Sequence, residues 1–330
     1  MSSRVIVLPD DILHTVTDRV NEKVDETVEN DPHFLRLPHP RTGIPALFVI
    51  HDCQHRSKPS ILEVQTISPP NARSWFMPEG QIVDDGQLFL MTPIDPAFLL
   101  IAILNSCTES AENFRPAEDL LEDATIRTFG SWDTNKLHDQ SMMHGIHALI
   151  TFTGTHQAMR RICEVKEVTA DITVFRYSPR KVLDYLRTKV ARLAKPDICE
   201  KSRTLVRIMA KDGIMEDGKE HLLESARTRA ACELISQYIP EDIFTTLLES
   251  YDFAELDTHL QMMRDDLAAQ AAHDSNETKT RKGKASKAAN NDADKKRKAQ
   301  TKASNGVEKL KKVNVKGMAK ISSFFQKPTN

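Results

Sequence analysis

The fold is decided by the stretch from Ser74 to Leu104, which reads S-W-F-M-P-E-G-Q-I-V-D-D-G-Q-L-F-L-M-T-P-I-D-P-A-F-L-L-I-A-I-L. Within it, Gln81–Asp84 and Gln87–Thr92 flank an Asp85-Gly86 pair. An Asp-Gly pair favours a tight turn, because glycine adopts positive φ without strain. The sequence therefore predicts two short strands joined as a hairpin.

A helix is expected directly after these strands. Asp95 can cap it by accepting from backbone N–H groups, and Pro96 fits the first helical position, where its missing N–H costs nothing. Ala97–Leu104 is apolar on every side, whereas a surface helix would show a polar stripe. We therefore expect this helix to be buried in its own domain or under another chain.

Other short strands are predicted around this stretch, because apolar and β-branched runs alternate with turn residues such as Pro40–Gly43 and Pro69–Asn71. These runs are Arg4–Leu8, Phe34–Leu37, Ala46–Ile50, Ile61–Ile67 and Ser74–Met77. Between the first two, an apolar residue at every fourth position from Ile12 to Val28 predicts a helix. The close spacing of the strands favours an antiparallel barrel or sandwich.

Helices predominate after Tyr177. Apolar residues recur at helical spacing in four segments, namely Pro179–Leu193, Lys201–Ala210, Glu220–Tyr238 and a helix opened by Pro240. The pattern before them is weaker, and predicts helices at Pro116–Glu122 and Gly154–Lys166 and strands or linkers at Ala148–Phe152 and Ile172–Phe175. The expected fold class is α+β. Its segments are a β-rich domain at 1–110, a connecting segment at 111–176, a helical domain at 177–255, a disordered basic linker at 264–317 and a binding box at 318–325.

The charge of the chain is distributed asymmetrically. From Asp274 onward there are 16 Lys and Arg against 5 Asp and Glu, whereas Met1–His273 carries 29 against 42. An acidic body thus carries a basic tail, which suits nucleic-acid phosphates or a nuclear import receptor. The tail is also too poor in apolar residues to offset its chain entropy, and this composition predicts disorder.

Bulk properties exclude several classes of protein. The longest apolar run is less than half of the roughly 18 residues that a membrane-spanning helix needs, and the N-terminus lacks signal-peptide architecture. We therefore expect a cytosolic or nuclear protein without membrane contact. The five cysteines are scattered without any C-x-x-C pattern, so free thiols are expected rather than disulfides or a zinc site.

Apolar residues return near the end of the tail. Ile321 lies three positions before the pair Phe324-Phe325, so one helical turn would bring them to a common side. This cluster resembles the PCNA-interacting box of proteins that bind the replication sliding clamp, with Met318 at the position of that pattern's glutamine. The resemblance implies a clamp-binding site, and the alternative is a chance cluster. Burial of three apolar side chains, less the cost of ordering the segment, predicts micromolar or weaker affinity.

A run of four basic residues precedes this box. It comprises Lys295, Lys296, Arg297 and Lys298, with further lysines upstream from Lys279 to Lys287. Such clusters are typical of nuclear import signals. The alternative is a solvated charge run that keeps the tail extended.

Other patterns predict chemistry only weakly. His51, Cys53 and His55 could hold a metal ion, but their alternation on a strand suits packing equally, and no second ligand cluster exists. Acidic pairs such as Glu118-Asp119 have ordinary roles in first helical turns, and no catalytic constellation or phosphate-binding glycine loop is present. The basic helix Arg180–Arg192 could lie against DNA or could be an exposed face of a packing domain.

Several segments together resemble the family of ribonuclease H2 B subunits. Ser74-Trp75-Phe76, followed by Thr92–Pro96 and Phe98-Leu99-Leu100, resembles that family's most recognisable segment. Tyr177-Ser178 and Leu234–Pro240 resemble two further family segments. The likeness covers Arg4 to about Ser250 and the box at the end of the tail.

The resemblance implies an N-terminal half that forms a triple β-barrel with the C subunit of the complex, followed by a helical, winged-helix-like domain. It places the catalytic carboxylates in the A subunit, which cleaves RNA in RNA–DNA hybrids and at single ribonucleotides in DNA. This chain would then be a nuclear, non-catalytic scaffold without a cofactor, tethered to the clamp and contacting nucleic acid mainly through the complex.

The apolar stretch Ser74–Leu104 would then be an interface, or seam, that faces the partner subunits. The residues expected to hold the interface or the structure are Trp75, Phe76, Pro93, Asp95, Pro96, Phe98, Leu99 and Leu100. Two other readings remain open from the residues alone. One is a DNA-binding or clamp-tethered repair adaptor, and the other is a metal-dependent hydrolase.

Overall fold

A computed structural model describes residues 4–10, 12–14, 17, 33–51, 59–78, 80–105, 113–129, 137–169 and 172–283. The chain divides into two compact units, residues 1–267 and 268–330, and the fold described here is that of the first. Most of the helix predicted between Ile12 and Val28 lies outside the described residues.

The N-terminal part forms a five-stranded sheet and a small separate ribbon. The strands are β1 (Val5–Val7), β2 (His33–Pro38), β3 (Pro45–His51), β4 (Ser60–Ile67), β5 (Trp75–Phe76), β6 (Ile82–Val83) and β7 (Leu88–Ile94). The order in the sheet is β1-β7-β4-β3-β2, antiparallel except that β1 runs parallel to β7. All the strands predicted in this part of the chain are therefore present.

Both faces of this sheet are apolar, because successive residues of a strand point to opposite sides. Phe48 and Ile61 are fully buried on the face that packs against the helices. Val49 and Leu62 are paired in register and lie on the other face, where Ile12 covers them. A sheet with two apolar faces needs partners on both sides.

Helices follow the sheet. They are α1 (Pro96–Leu104), α2 (Ala117–Phe129), α3 (Leu137–Thr151), α4 (Thr153–Ile162), α5 (Pro179–Leu193), α6 (Pro196–Cys199), α7 (Arg203–Lys211), α8 (Glu220–Ile235), α9 (Glu241–Glu249) and α10 (Ala254–Gly283). A hairpin of β8 (Cys163–Glu167) and β9 (Thr173–Tyr177) separates α4 from α5, and a 3₁₀ turn (Ser236–Tyr238) separates α8 from α9.

The segment 113–176, which the sequence predicts as a connection with two helices and two strands or linkers, contains a helix-turn-helix and a wing. Helices α3 and α4 are separated by Phe152 alone, and β8 continues directly from α4. Arg115 adds a bridge to Phe175 of β9, with backbone hydrogen bonds of 2.9 and 2.7 Å. The strand or linker expected at Ala148–Phe152 is therefore wrong, since α3 extends to Thr151.

One hydrophobic core joins the sheet to the helices. It includes Leu37, Phe48 and Ile94 from the sheet together with buried residues of α1, α2, α3, α4, α5, α8 and α9. The expected domain limit near residue 110 is therefore wrong in one respect, because α1 packs with the helices that follow it. A smaller core of Ile214, Leu222 and Leu256 joins α8 to the start of α10.

Two further expectations are corrected at element boundaries. The helix predicted over Gly154–Lys166 ends at Ile162 and gives way to strand β8. The disorder predicted from residue 264 begins too early, because α10 continues to Gly283. Apolar periodicity could not indicate this extension, because residues 264–271 of α10 are all exposed.

Candidate subunit interface

The two edges of the five-stranded sheet are candidate contact surfaces for another chain. Among the described residues, β1 and β2 each pair with one strand only, so β1 leaves a row of backbone donors and acceptors open. The backbone of β2 is open only in part, because α3 approaches it at Arg36. Apolar side chains are exposed on both strands, including Ile6 and Val7 on β1 and Phe34 on β2, which is 60% exposed. Open polar backbone beside exposed apolar side chains is the pattern of a sheet that continues into a partner.

The β5–β6 ribbon adds a third exposed apolar surface. Phe76 is 80% exposed and Ile82 is 59% exposed, and the two are paired in register. Trp75 is partly exposed, and its indole N–H donates to the backbone oxygen of Gln87 over 3.3 Å. Trp75 and Phe76 are therefore placed where a partner could cover them.

The hairpin predicted around Asp85-Gly86 has a different pairing. Strand β6 pairs with β5, and β7 pairs with β4 and β1. The positive φ lies at Gly80, in the turn between β5 and β6. Gly86 is needed for space instead, since an added Cβ would lie 2.6 Å from the backbone oxygen of Arg73. Asp85 stabilises the local bend by accepting from the Gln87 N–H over 3.0 Å.

Helix α1 is buried in its own domain, one of the two outcomes expected for it, so Leu99 and Leu100 are structural residues rather than part of a partner-facing seam. Leu99 and Leu100 are buried in the chain's own core, together with residues of α2, α3 and α4. Phe98 is half-buried, with its ring centroid 6.0 Å from that of Tyr185 and 5.9 Å from that of Tyr238. The apolar excess of α1 is thus satisfied within the chain.

Pro93 has a structural reason for its position in β7. Its Cα partner is Leu62 of β4, while β1 pairs only with Leu88–Leu90. The missing N–H of Pro93 therefore leaves no ladder hydrogen bond unmade on the β1 side.

Asp95 is the polar centre of the helical part. As predicted, it caps α1, accepting from the Ala97 N–H over 3.1 Å, and Pro96 occupies the first turn. The same carboxylate accepts two hydrogen bonds of 2.9 Å from Arg161 of α4, and two more from α5, of 2.7 Å from Lys189 and 2.8 Å from Tyr185. One side chain thereby ties α1 to α4 and α5.

The protonation states of this cluster follow from its contacts. Burial of Asp95 opposes ionisation, but hydrogen bonds from Lys189, Tyr185 and the Ala97 N–H outweigh it and hold the pKa of Asp95 below its usual value. Burial, together with the adjacent carboxylate, raises the pKa of Tyr185. The cluster is therefore a stable ion network, and its phenol is not poised to lose a proton.

A second buried carboxylate joins the sheet to the end of α8. Glu63 of β4 is 4% exposed and accepts from the hydroxyl of Tyr238 over 2.8 Å and from Gln65 over 3.0 Å. Burial and the hydrogen bond to Glu63 raise the pKa of Tyr238 to about 12. Close by, Arg41 donates to the backbone oxygen of Ser236 over 2.6 Å. These contacts fix the orientation of the sheet relative to the helices.

The basic helix proposed as a DNA-binding element is α5, and most of its cations have structural roles. Lys189 binds Asp95, and Lys181 donates to the backbone oxygens of Arg160 and Cys163 over 3.1 and 2.8 Å. Arg187 donates to the backbone oxygen of Ser250 over 2.8 Å. These contacts favour the alternative reading, an element of a packing domain.

The helix-turn-helix and wing are also charge-balanced. Arg160 of α4 lies 3.5 Å from Glu167 of β8, and Arg176 of β9 pairs with Glu164. An arginine next to a carboxylate gives little net attraction for phosphate. This surface is therefore poorly suited to nucleic acid.

No described residue suggests a nucleophile or a metal centre. The described residues contain no group of three or more His, Cys, Asp or Glu side chains placed to hold a metal ion. His51 is buried on β3, while Cys53 and His55 lie outside the described residues. Burial, with the charge of Glu233, raises the pKa of Cys232 to about 11, so this thiol stays protonated. No helix among the described residues is both long and apolar enough to cross a membrane.

The predicted tail sites are not placed by the structure. The clamp-binding residues Met318, Ile321, Phe324 and Phe325 lie outside the described residues, as does the basic cluster Lys295–Lys298.

Sequence reasoning missed the partners of Asp95 and the contacts of Arg41 and Tyr238. A partial signal was present, because Tyr185 and Lys189 are four residues apart and so share one face of α5. The local sequence does not indicate that this face of α5 contacts Asp95, because Asp95 lies 90 residues before Tyr185.

Comparison with known proteins agrees with this architecture. Residues 20–95 match the model of the Ydr279p protein triple barrel domain. Residues 98–248 match the model of the Ydr279p protein family (RNase H2 complex component) wHTH domain, so the limit between the two matches falls at the start of α1.

Two curated relatives are similar to the chain over most of this range. The B subunit of ribonuclease H2 from Xenopus laevis is 28% identical over 222 residues, which cover 66% of this chain and 62% of the relative. The B subunit of ribonuclease H2 from Xenopus tropicalis is 26% identical over 238 residues, covering 69% and 65%. The chain thus spans a little under two thirds of the length of either relative. Since both domain models of one family match in succession, with β2–β7 in the first matched range and the helices from α2 to α8 in the second, the chain belongs to the Ydr279p protein family, the family of ribonuclease H2 B subunits.

Proposed function

We propose that this chain is the non-catalytic scaffold of ribonuclease H2, in a heterotrimer with the A and C subunits. The observation that carries the proposal is the open five-stranded sheet, whose two edge strands expose apolar side chains. Four of its strands, β2, β3, β4 and β7, lie in the range matched by a triple-barrel model. Strands of the C subunit would continue this sheet, as an exposed sheet edge accepts a strand from another chain.

The catalytic carboxylates are proposed to belong to the A subunit. Support comes from the acidic pair Glu241-Asp242, in which both carboxylates have structural partners. Glu241 binds Arg41 over 2.8 Å and Asp242 binds Asn105 over 2.8 Å, both from the first turn of α9. Carboxylates engaged in this way are not arranged to hold two metal ions.

The proposed substrates are those of the complex, namely the RNA strand of RNA–DNA hybrids and single ribonucleotides embedded in DNA. The tail is proposed to have two roles. The residues from Met318 to Phe325 would tether the complex to the sliding clamp, and Lys295–Lys298 would direct the chain to the nucleus. The spacing of the apolar residues and the basic character of the tail support these roles.

The scaffold role is tested at the sheet edge. Phe34→Glu places a charge at the open edge of β2, where the native ring is 60% exposed. We expect affinity for the C subunit to fall by at least tenfold, because truncating an interface anchor typically costs 2 kcal/mol or more, roughly a 30-fold loss. The measurement is co-purification of the three chains, followed by cleavage of duplex DNA that contains one ribonucleotide.

The matched control is Met262→Glu, which makes a similar change at a side chain of α10 that is also 60% exposed. This variant should assemble like the native chain. Equal assembly of both variants would argue against the sheet edge as the interface, and cleavage by the isolated chain would contradict the non-catalytic role.

A further inference from the structure

Helix α7 carries a row of cations on its outward face. Arg203, Arg207 and Lys211 follow one another at intervals of four residues and are all exposed. An interval of four residues keeps side chains on one side of a helix and separates them by about 6 Å along its axis, so the row extends over about 12 Å. The helix contains no acidic residue.

The opposite face of α7 holds the helix in place. Met209 is buried, and Leu205 and Val206 are partly buried on the same side. The Ser202 side chain caps the first turn by accepting from the Leu205 N–H over 3.4 Å. The row of cations is therefore presented by an anchored helix, which limits the entropy lost when a ligand binds.

The three cations have no carboxylate partner in the part of the chain that the structure describes. The arginines of the following helix differ in this respect. Arg227 of α8 lies 3.0 Å from Glu200, and Arg229 is paired with Asp257. Cations on this side of the molecule are thus neutralised where carboxylates are within reach, and the α7 row is left uncompensated.

An uncompensated row is unfavourable for the isolated helix, since like charges four residues apart destabilise it. The row is also opposite in charge to the rest of this part of the chain, since Met1–His273 carries 29 Lys and Arg against 42 Asp and Glu. A polyanionic ligand would relieve the repulsion. Thr204 and Ile208 are exposed beside the row and could contribute a hydroxyl donor and an apolar contact.

We propose that the outward face of α7 binds the phosphate backbone of a nucleic-acid duplex through Arg203, Arg207 and Lys211. Three evenly spaced cations match a ligand with regularly repeated charge, which a nucleic-acid backbone provides and a folded acidic protein generally does not. The surface carries no arrangement for reading bases, so it binds without sequence preference. This contact is additional to the scaffold role and does not depend on assembly with other chains.

The test measures how binding depends on salt. The full chain is titrated into a fluorescein-labelled duplex DNA of about 20 base pairs, and separately into an RNA–DNA hybrid of the same length, between 50 and 200 mM NaCl. Each phosphate contact contributes about 0.9 to the slope of log K against log salt. Replacing all three residues (R203Q, R207Q, K211Q) should therefore lower the slope by about 2.7. Between these salt concentrations the native chain should lose about 40-fold more affinity than the variant.

A matched control removes the same charge elsewhere. Lys166, Arg180 and Arg264 are exposed on β8, α5 and α10, and their joint replacement by glutamine leaves the row intact. The basic tail is present in all three proteins, so its contribution cancels in the comparison. Both variants should keep the native circular dichroism spectrum and melting temperature.

The proposal is overturned if the R203Q, R207Q, K211Q variant (the row variant) keeps the native slope of log K against log salt. It is also overturned if the control variant lowers that slope by the same amount. A third outcome also overturns it. If the row variant binds duplex with an unchanged salt dependence but is alone in losing affinity for polyglutamate, the three cations form a docking surface for an acidic protein.

Discussion

At the scale of single residues, Asp95 shows how much one side chain can contribute to a fold. The sequence predicts its capping role, because a cap depends only on neighbouring residues. Its bonds to Arg161, Tyr185 and Lys189 depend on how α4 and α5 pack against α1. Packing of that kind is a property of the whole core, and no local pattern reports it.

We expect Asp95→Asn to lower the free energy of unfolding by about 2 kcal/mol, because asparagine keeps the cap but leaves two cations without their carboxylate. This loss is smaller than the loss expected for a fully buried ion pair, because the Arg161 and Lys189 side chains remain 42% and 28% exposed. Urea denaturation measures the change. Asp257→Asn is the control, because its side chain is 58% exposed against 15% for Asp95, so its ion pair with Arg229 should contribute less than about 1 kcal/mol.

The contribution of Asp95 should also depend on pH. Its folded-state pKa lies below the reference value of 3.8. The stabilisation is therefore fully present above about pH 4 and is lost as the pH falls through the folded-state pKa. The difference in stability between the native chain and Asp95→Asn should be constant near neutral pH and should shrink in acid. A difference that persists unchanged in acid would show that the carboxylate charge is not the cause.

At the scale of elements, the sequence predicts where strands lie better than it predicts their partners. Leu88–Ile94 was correctly expected as a strand, but its neighbours are β4 and β1 rather than β6. An Asp-Gly pair favours a tight turn only if glycine adopts positive φ, and Gly86 does not. The residues of α3 show the same limit. Ala148–Phe152 is a short apolar run, and such runs occur equally in strands and in buried helices.

The contact between α3 and β2 rests on one glycine. At Gly145 an added Cβ would lie 2.2 Å from the backbone oxygen of Arg36, so α3 approaches the sheet only because this residue has no side chain. We expect Gly145→Ala to reduce stability by about 1–2 kcal/mol, since the clash outweighs the better helix propensity of alanine. Thermal unfolding measures the effect. His144→Ala, at an exposed neighbouring position, should change stability by less than about 0.5 kcal/mol.

At the scale of the whole molecule, the tail and the folded body are expected to act separately. In the assembled complex, Phe324→Ala with Phe325→Ala should abolish capture by the sliding clamp and leave hybrid cleavage unchanged, because the catalytic carboxylates are proposed to belong to the A subunit. Replacing Lys295–Lys298 with glutamine should instead move a fluorescent fusion of the chain out of the nucleus while clamp capture persists. Loss of cleavage in the first variant, or nuclear retention of the second, would contradict this division of roles.

The contacts between the sheet and the end of α8 have a consequence for biosynthesis. Arg41 bonds to Ser236 and Glu241, which lie 195 and 200 residues later, and Glu63 bonds to Tyr238 across 175 residues. These contacts join residues that are far apart in the sequence, so they cannot form during early synthesis. At 5–20 residues per second, the ribosome needs roughly 10–40 s to make the intervening chain. Throughout that interval the nascent strands remain without these late contacts, and this is when a chaperone or a strand from a partner chain would protect them most.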